Sequence, residues 1–160
     1  MLMTLLNISN SAGNLLYYTT AYSLSGIAAF AVILYVCKNK DNEDIANFNG
    51  LGKNNPLMAA VLTASLLSMA GIPIFAGFFA KMFLFTQTIE AGYLIVVIAA
   101  VINSIISVGY YFKLILAMYN KEPNAEATKT PFVFYAIAIV SILLNIVLGL
   151  FPSAVLDLLG

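Results

Sequence analysis

Four long, predominantly apolar stretches alternate with short polar or charged ones along this chain. Residues 14–37, NLLYYTTAYSLSGIAAFAVILYVC, carry no charge and are long enough for one membrane span with modest tilt. Residues 38–55, KNKDNEDIANFNGLGKNN, switch to a charged, Asn- and Gly-rich composition that cannot cross lipid and reads as a surface loop. A third stretch runs from Pro56 to Glu90, PLMAAVLTASLLSMAGIPIFAGFFAKMFLFTQTIE. After Gly92 comes YLIVVIAAVINSIISVGYYFKLILAMYN, interrupted only by Lys113, then the short charged loop KEPNAEATKT at 121–130. The last uncharged span is 131–156, PFVFYAIAIVSILLNIVLGLFPSAVL. Asn55-Pro56 and Thr130-Pro131 each read as an N-cap followed by the first helical residue.

The stretch from 56 to 90 is too long for one crossing. As a straight helix it would reach roughly 52 Å at 1.5 Å per residue, against about 30 Å of bilayer hydrocarbon. Gly71-Ile72-Pro73 lies at its centre, where proline removes a backbone donor and glycine frees the backbone, so two half-helices joined by a break are expected. Loop lysines favour the cytoplasmic side. If the broken stretch crosses once, Lys38, Lys40, Lys53, Lys121 and Lys129 all share one side; two full spans would divide them three against two. The pattern thus predicts an all-α polytopic transmembrane bundle, a single domain over 1–160. It has four crossings, with helices at about 14–37, 56–90 (discontinuous, broken near 71–73), 93–119 and 131–156, and both termini outside.

Composition agrees. The chain is 62% hydrophobic and 9% charged, with a mean hydropathy of +0.97, far from the roughly 45–50% apolar and 25% charged balance of soluble domains. Seven lysines balance seven acids, so no field argues for a nucleic-acid partner; the surroundings are lipid. One cysteine, Cys37, and no histidine exclude a disulfide framework and leave no metal site to propose. The first thirteen residues lack the basic and long apolar regions of a signal peptide.

Lys81 is the residue that this pattern does not explain. It lies eight residues past Pro73 and nine short of Glu90, beyond easy reach of either membrane surface, where insertion of a lysine costs about 2.5–3.5 kcal/mol. Such residues face bundle interiors or hydrated cavities, and helix breaks in transporters mark ion sites. Gly77, at i−4 on the same face, leaves expected space for water. A lysine's proton affinity responds strongly to burial and nearby charge, which suits a proton relay; pairing with a carbonyl or a partner's acid is the competing reading. Tyr18, Tyr22 and Ser25 share one face of the first span, and Asn103, Ser107 and Tyr110 one face of the third, with Ser104 and Tyr111 beside it. Interfacial and interhelical hydrogen bonding accounts for these faces; a hydrated proton path through Tyr22, Ser107, Tyr110 and Lys113 is the alternative. Lys113 is also close enough to its helix end to snorkel. Ser141 and Asn145 at i, i+4 read as interhelical contacts.

The runs LLSMAGIPIFAGFFAKMFLF and NSIISVGYYFKLILAMY resemble the antiporter-like membrane subunits of proton-pumping NADH:quinone oxidoreductase, respiratory complex I. The likeness is to the C-terminal part of the subunit N family, whose mitochondrial counterpart is NADH dehydrogenase subunit 2, and it runs from Tyr17 to Pro152. It implies the last four helices of two inverted repeats, including the second broken helix, with Lys81 at the family lysine in G-F-F-x-K-F. Met82 and Ala80 stand where phenylalanine and glycine are common. The membrane glutamate and further lysines of the family's first half-channel have no position here, and the first span carries only hydroxyls where related subunits carry histidines. The resemblance therefore implies a fragment or truncated product supplying the exit half of a proton path, in a multi-pass protein of the cell inner (plasma) membrane, or the mitochondrial inner membrane if organellar. NADH, FMN, iron–sulfur clusters and quinone would belong to partner subunits, so the chain would be part of an oxidoreductase without a redox site of its own. Its expected partners are the other membrane subunits of complex I. A small oligomeric secondary transporter and a structural scaffold are the alternatives; against the transporter, every Asp and Glu lies outside the spans or at their ends.

Overall fold

Pro56 and the uncharged runs set where the helices start and stop. The structure, a computed structural model, describes residues 12–38, 40–119 and 131–153. Within these, α1 spans Ala12–Cys37, a 3-10 turn Ile45–Phe48, α2 Leu51–Asn54, α3 Pro56–Ala70, α4 Ala76–Glu90, α5 Leu94–Met118 and α6 Phe132–Leu150. The 120–130 loop with Lys121, Lys129 and Thr130, the amino-terminal stretch 1–11, and the expected last residues of the fourth span, 154–156, lie outside the described residues. Helices α1, α5 and α6 are each long and apolar enough to cross a membrane. The 15-residue helices α3 and α4 each reach only about 22 Å and are the two halves of the broken element. At the start of α3 the Asn55 side chain accepts from the Met58 N–H at 3.3 Å, with Pro56 at the first helical position, so the N-cap follows the sequence pattern.

The broken element crosses once. The Asn14 amide donates to Gln87 Oε1 at 3.2 Å, and the Tyr17 hydroxyl donates to the Leu148 carbonyl at 2.8 Å. The end of α4 and the end of α6 therefore sit beside the start of α1. At the opposite end, Val32 of α1 clusters with Met58 of α3, Met118 of α5 and Ala138 of α6. Since α3 begins at one end of α1 and α4 finishes at the other, the two halves together make a single traverse. The 45–54 part of the loop lies at the same end of the bundle as the end of α5, with the Tyr119 ring against Gly52 and Met118 clustered with Phe48 and Leu51. One feature of the 38–55 loop departs from its composition: Phe48 and Leu51 are buried in the larger apolar cluster, closing that end of the bundle. Helix α5 is the outlying element, and Ile95, Ile105 and Leu116 project from it almost bare, a face compatible with lipid.

The interior is layered along the length of the bundle. Ala28, Val32, Met58, Leu62 and Ala138 belong to the larger apolar cluster, and Tyr17, Ala21, Ala76 and Ala80 form a smaller one. Between them in chain order on α1, α3 and α6 lie Ser25, Ser68 and Asn145, all fully buried. Lysine placement and the single traverse lead to a labelling experiment. In a Cys37→Ser background, Glu43→Cys is expected to react with an impermeant thiol reagent from the cytoplasmic face only, and Tyr93→Cys from the opposite face only. Reaction of both positions from one face would reject the single crossing.

Candidate functional site

A helix that stops inside a membrane leaves its last four carbonyls without intrahelical donors, and the end of α3 shows where each one goes. Gly71 takes φ +88°, a left-handed conformation open to glycine. Its N–H bonds the Ser68 carbonyl at 3.0 Å, and the Ile72 N–H bonds the Leu67 carbonyl at 3.0 Å, the paired bonds of a Schellman cap. The Met69 carbonyl accepts from the Tyr22 hydroxyl of α1 at 3.4 Å. The Ala70 carbonyl accepts from Lys81 Nζ at 3.0 Å. Lys81 thus lies at the negative end of the α3 dipole, which favours a cation.

Pro73 follows the cap by two residues and blocks any continuation of the helix. Ile74 has φ +98°, rare and strained for a β-branched residue. The linker is held by α6, where Gly149 presses so closely that a Cβ would strike the Ile74 carbonyl and the Ala76 nitrogen. The next glycine corrects a sequence-based expectation. Gly77 leaves no room for water beside Lys81, because the Ser68 carbonyl fills that space and Gly77 is fully buried against it. Small size here serves close approach of two backbones, so α4 begins alongside the last turn of α3 rather than beyond it.

Water-sized space lies on another side of Lys81. A cavity of about 240 Å³ between α1, α4 and α5 is lined by Lys81 with Tyr18, Tyr22, Asn103, Ser107 and Tyr111 among its polar groups. A second, mainly apolar groove of about 440 Å³ between α4 and α5 also has Lys81 in its wall. Of the expected path residues, Tyr22 and Ser107 line the cavity with Lys81. Tyr110 stands exposed with its ring at 4.6 Å from that of Tyr111, and the exposed Lys113 is not part of the cavity wall. Tyr111 takes the inward place because neighbouring residues on a helix point about 100° apart. Among the described residues no group of three or more His, Cys, Asp or Glu converges.

Behind the break lies a closed hydrogen-bond ring. The Asn145 amide donates to the Ala21 carbonyl at 3.0 Å and to Ser25 Oγ at 2.9 Å. Ser25 Oγ shares its one proton between Ser68 Oγ and the Ala21 carbonyl, each at 3.0 Å, and Ser68 Oγ donates to Asn145 Oδ1 at 2.9 Å. The Gly77 N–H donates to Ser68 Oγ at 3.3 Å. No buried side-chain nitrogen or oxygen among the described residues lacks a partner. Sequence had marked Ser25 and Asn145 only as separate polar positions and had not singled out Ser68, which reads there as one more small residue in an apolar run.

Comparison with known proteins places this geometry. The family NADH:quinone oxidoreductase/Mrp antiporter, transmembrane, matches residues 1–107. The chain is 76% identical over its whole length to the NADH-quinone oxidoreductase subunit N of Flavobacterium johnsoniae, covering 35% of that protein. It is 57% identical to the subunit N of Flavobacterium psychrophilum over 99% of its length, again 35% of the relative. In structure it is similar to a chain of respiratory complex I from Thermus thermophilus with bound Aureothin, with a TM-score of 0.85 and 29% identity over 97% of this chain and 36% of that one. The chain therefore spans about a third of the length of these relatives.

Proposed function

We propose, for a chain that belongs to the NADH:quinone oxidoreductase/Mrp antiporter transmembrane family, the role of a proton-translocating membrane segment of an NADH:quinone oxidoreductase. It contributes the exit half of an antiporter-like channel, in a multi-pass protein of the bacterial inner membrane. NADH, FMN, iron–sulfur clusters and quinone belong to partner subunits in this reading, and the other membrane subunits of the complex are its neighbours. The observation that carries it is Lys81 Nζ at 3.0 Å from the Ala70 carbonyl, at the break and in the wall of the polar cavity.

The chemistry follows from that position. Charged Lys81 is held by the Ala70 carbonyl and the negative end of α3. When its proton passes to a water or hydroxyl in the cavity, the ionic part of that attraction goes, and the neutral amine accepts the next proton. Tyr22 hydrogen-bonds the neighbouring Met69 carbonyl and lines the same cavity, so its hydroxyl stands along the route. The apolar wall provided by Leu84 and Phe85 limits exchange with bulk water.

Lys81→Met tests the role, since methionine roughly keeps length and removes the ionisable group. In the assembled complex in sealed vesicles, proton translocation per electron pair and coupled electron transfer are both expected to fall, by about tenfold or more for translocation. Full coupled activity with assembly confirmed on a native gel would reject the relay.

A further inference from the structure

The ring behind the break does not line the cavity, yet it joins the last turn of α3 to the start of α4, the helix that carries Lys81. Ser68 sits in the last turn of α3, two residues before Ala70, whose carbonyl takes the lysine. Its hydroxyl uses its full capacity: it donates to Asn145 and accepts from Ser25 and from the Gly77 N–H. The last of these is one of the orphan donors at the start of α4. Gly77 lies one helical turn before Lys81, so fixing Gly77 fixes the lysine's reach. Asn145, which is fully buried, orients Ser68 through Oδ1 while its amide group is held by Ala21 and Ser25 of α1.

We propose that Ser68 and Asn145 are positioning residues for Lys81: the ring Asn145–Ser25–Ser68 latches the first turn of α4 against the last turn of α3 and so sets the docked position of the lysine on the Ala70 carbonyl. The latch rests on the reading of Lys81 as a relay for its functional meaning, but not for its geometry. Packing at Gly77 sets how near the two half-helices come, and the latch sets their rotation and slide. Without the Ser68 hydroxyl, the Gly77 N–H and the Asn145 carbonyl oxygen lose their buried partner together.

The test uses the assembled complex with Ser68→Ala, and Ser65→Ala as the matched loss of a buried α3 hydroxyl that bonds only its own helix, at the Val61 carbonyl. Two readouts are taken. In a Cys37→Ser background, the rate at which Lys81→Cys reacts with a small membrane-permeant thiol reagent reports position alone. Ser68→Ala is expected to change that rate by about fivefold, as for loss of the single one of its three hydrogen bonds that reaches α4, from the Gly77 N–H, and Ser65→Ala to leave it within twofold. With Lys81 present, Ser68→Ala is expected to shift the pH profile of coupled turnover, and Ser65→Ala to leave it in place. An unchanged Lys81→Cys rate in assembled Ser68→Ala overturns the latch, even if Lys81→Met abolishes pumping and the relay stands. A changed rate with an unmoved pH profile keeps the latch and removes the relay. Should Ser68→Ala not assemble, Asn145→Leu, close in size and lacking the Oδ1 that orients Ser68, decides by the same two readouts.

Discussion

Lys81→Arg is expected to assemble normally and still fail to translocate protons, with coupled rates about tenfold or more below the native chain. Arginine keeps the positive charge and several donors, so it can hold the Ala70 carbonyl and remain at the negative end of α3. Its guanidinium, however, does not release a proton in any accessible range. The variant therefore separates two jobs that lysine performs at once. If the break only needs a cation to satisfy its carbonyl, arginine restores activity. If each cycle needs the proton to leave, arginine holds the site closed. The measurement is proton uptake and electron transfer side by side in sealed vesicles, with native-gel assembly as the control. Recovery of native coupling in Lys81→Arg would show that charge alone suffices.

The second large effect is expected at Gly77. A Cβ there would run into the Ser68 carbonyl and lie 2.7 Å from the Ser68 carbonyl carbon. Both obstacles are backbone, so no side chain can rotate away, and α4 must move off α3. That movement breaks the Gly77 bond to Ser68 and draws Lys81 from Ala70. Gly77→Ala is expected to destabilise the segment by about 1–3 kcal/mol or more and to reduce the yield of assembled complex. Gly26 in α1 is the comparison, because a Cβ there meets nothing within 4 Å. Alanine at that position is expected to be neutral or stabilising by up to about 1 kcal/mol. Thermal stability of the two purified variants compares them directly; equal stability would refute the close backbone approach.

How much of this was legible in the residues differs between the parts of the site. The break was, because a run from 56 to 90 outlasts the bilayer and Gly71 with Pro73 marks where it must stop. Lys81 was, because a charge so far from both surfaces has few physical excuses. The single crossing was, because the loop lysines share one side only under that arrangement. The space beside Gly77 was misread: a missing side chain can admit water or a neighbouring backbone, and local spacing does not distinguish them. Helical phase grouped Tyr110 with Asn103 and Ser107 and left Tyr111 beside them, yet of that adjacent pair it is Tyr111 that lines the cavity with Tyr18 and Tyr22.

Apolar run lengths, glycine and proline were enough to set the spans, their order, the discontinuity and a half-buried lysine within one of them. Each of these rests on a local quantity: the length of an apolar run against bilayer thickness, the backbone freedom of glycine and proline, the cost of an isolated charge in hydrocarbon. Which polar groups meet depends instead on how the helices pack. Ser68 and Asn145 stand 77 positions apart, and their contact depends on the rotation of α6 about its own axis and the depth at which it crosses α3. Hydropathy does not encode that rotation, since lipid-facing and bundle-facing sides are both apolar. Packing of Gly149 on the linker and of Gly77 on Ser68 supplies it, through distances between backbones that no single stretch of residues contains.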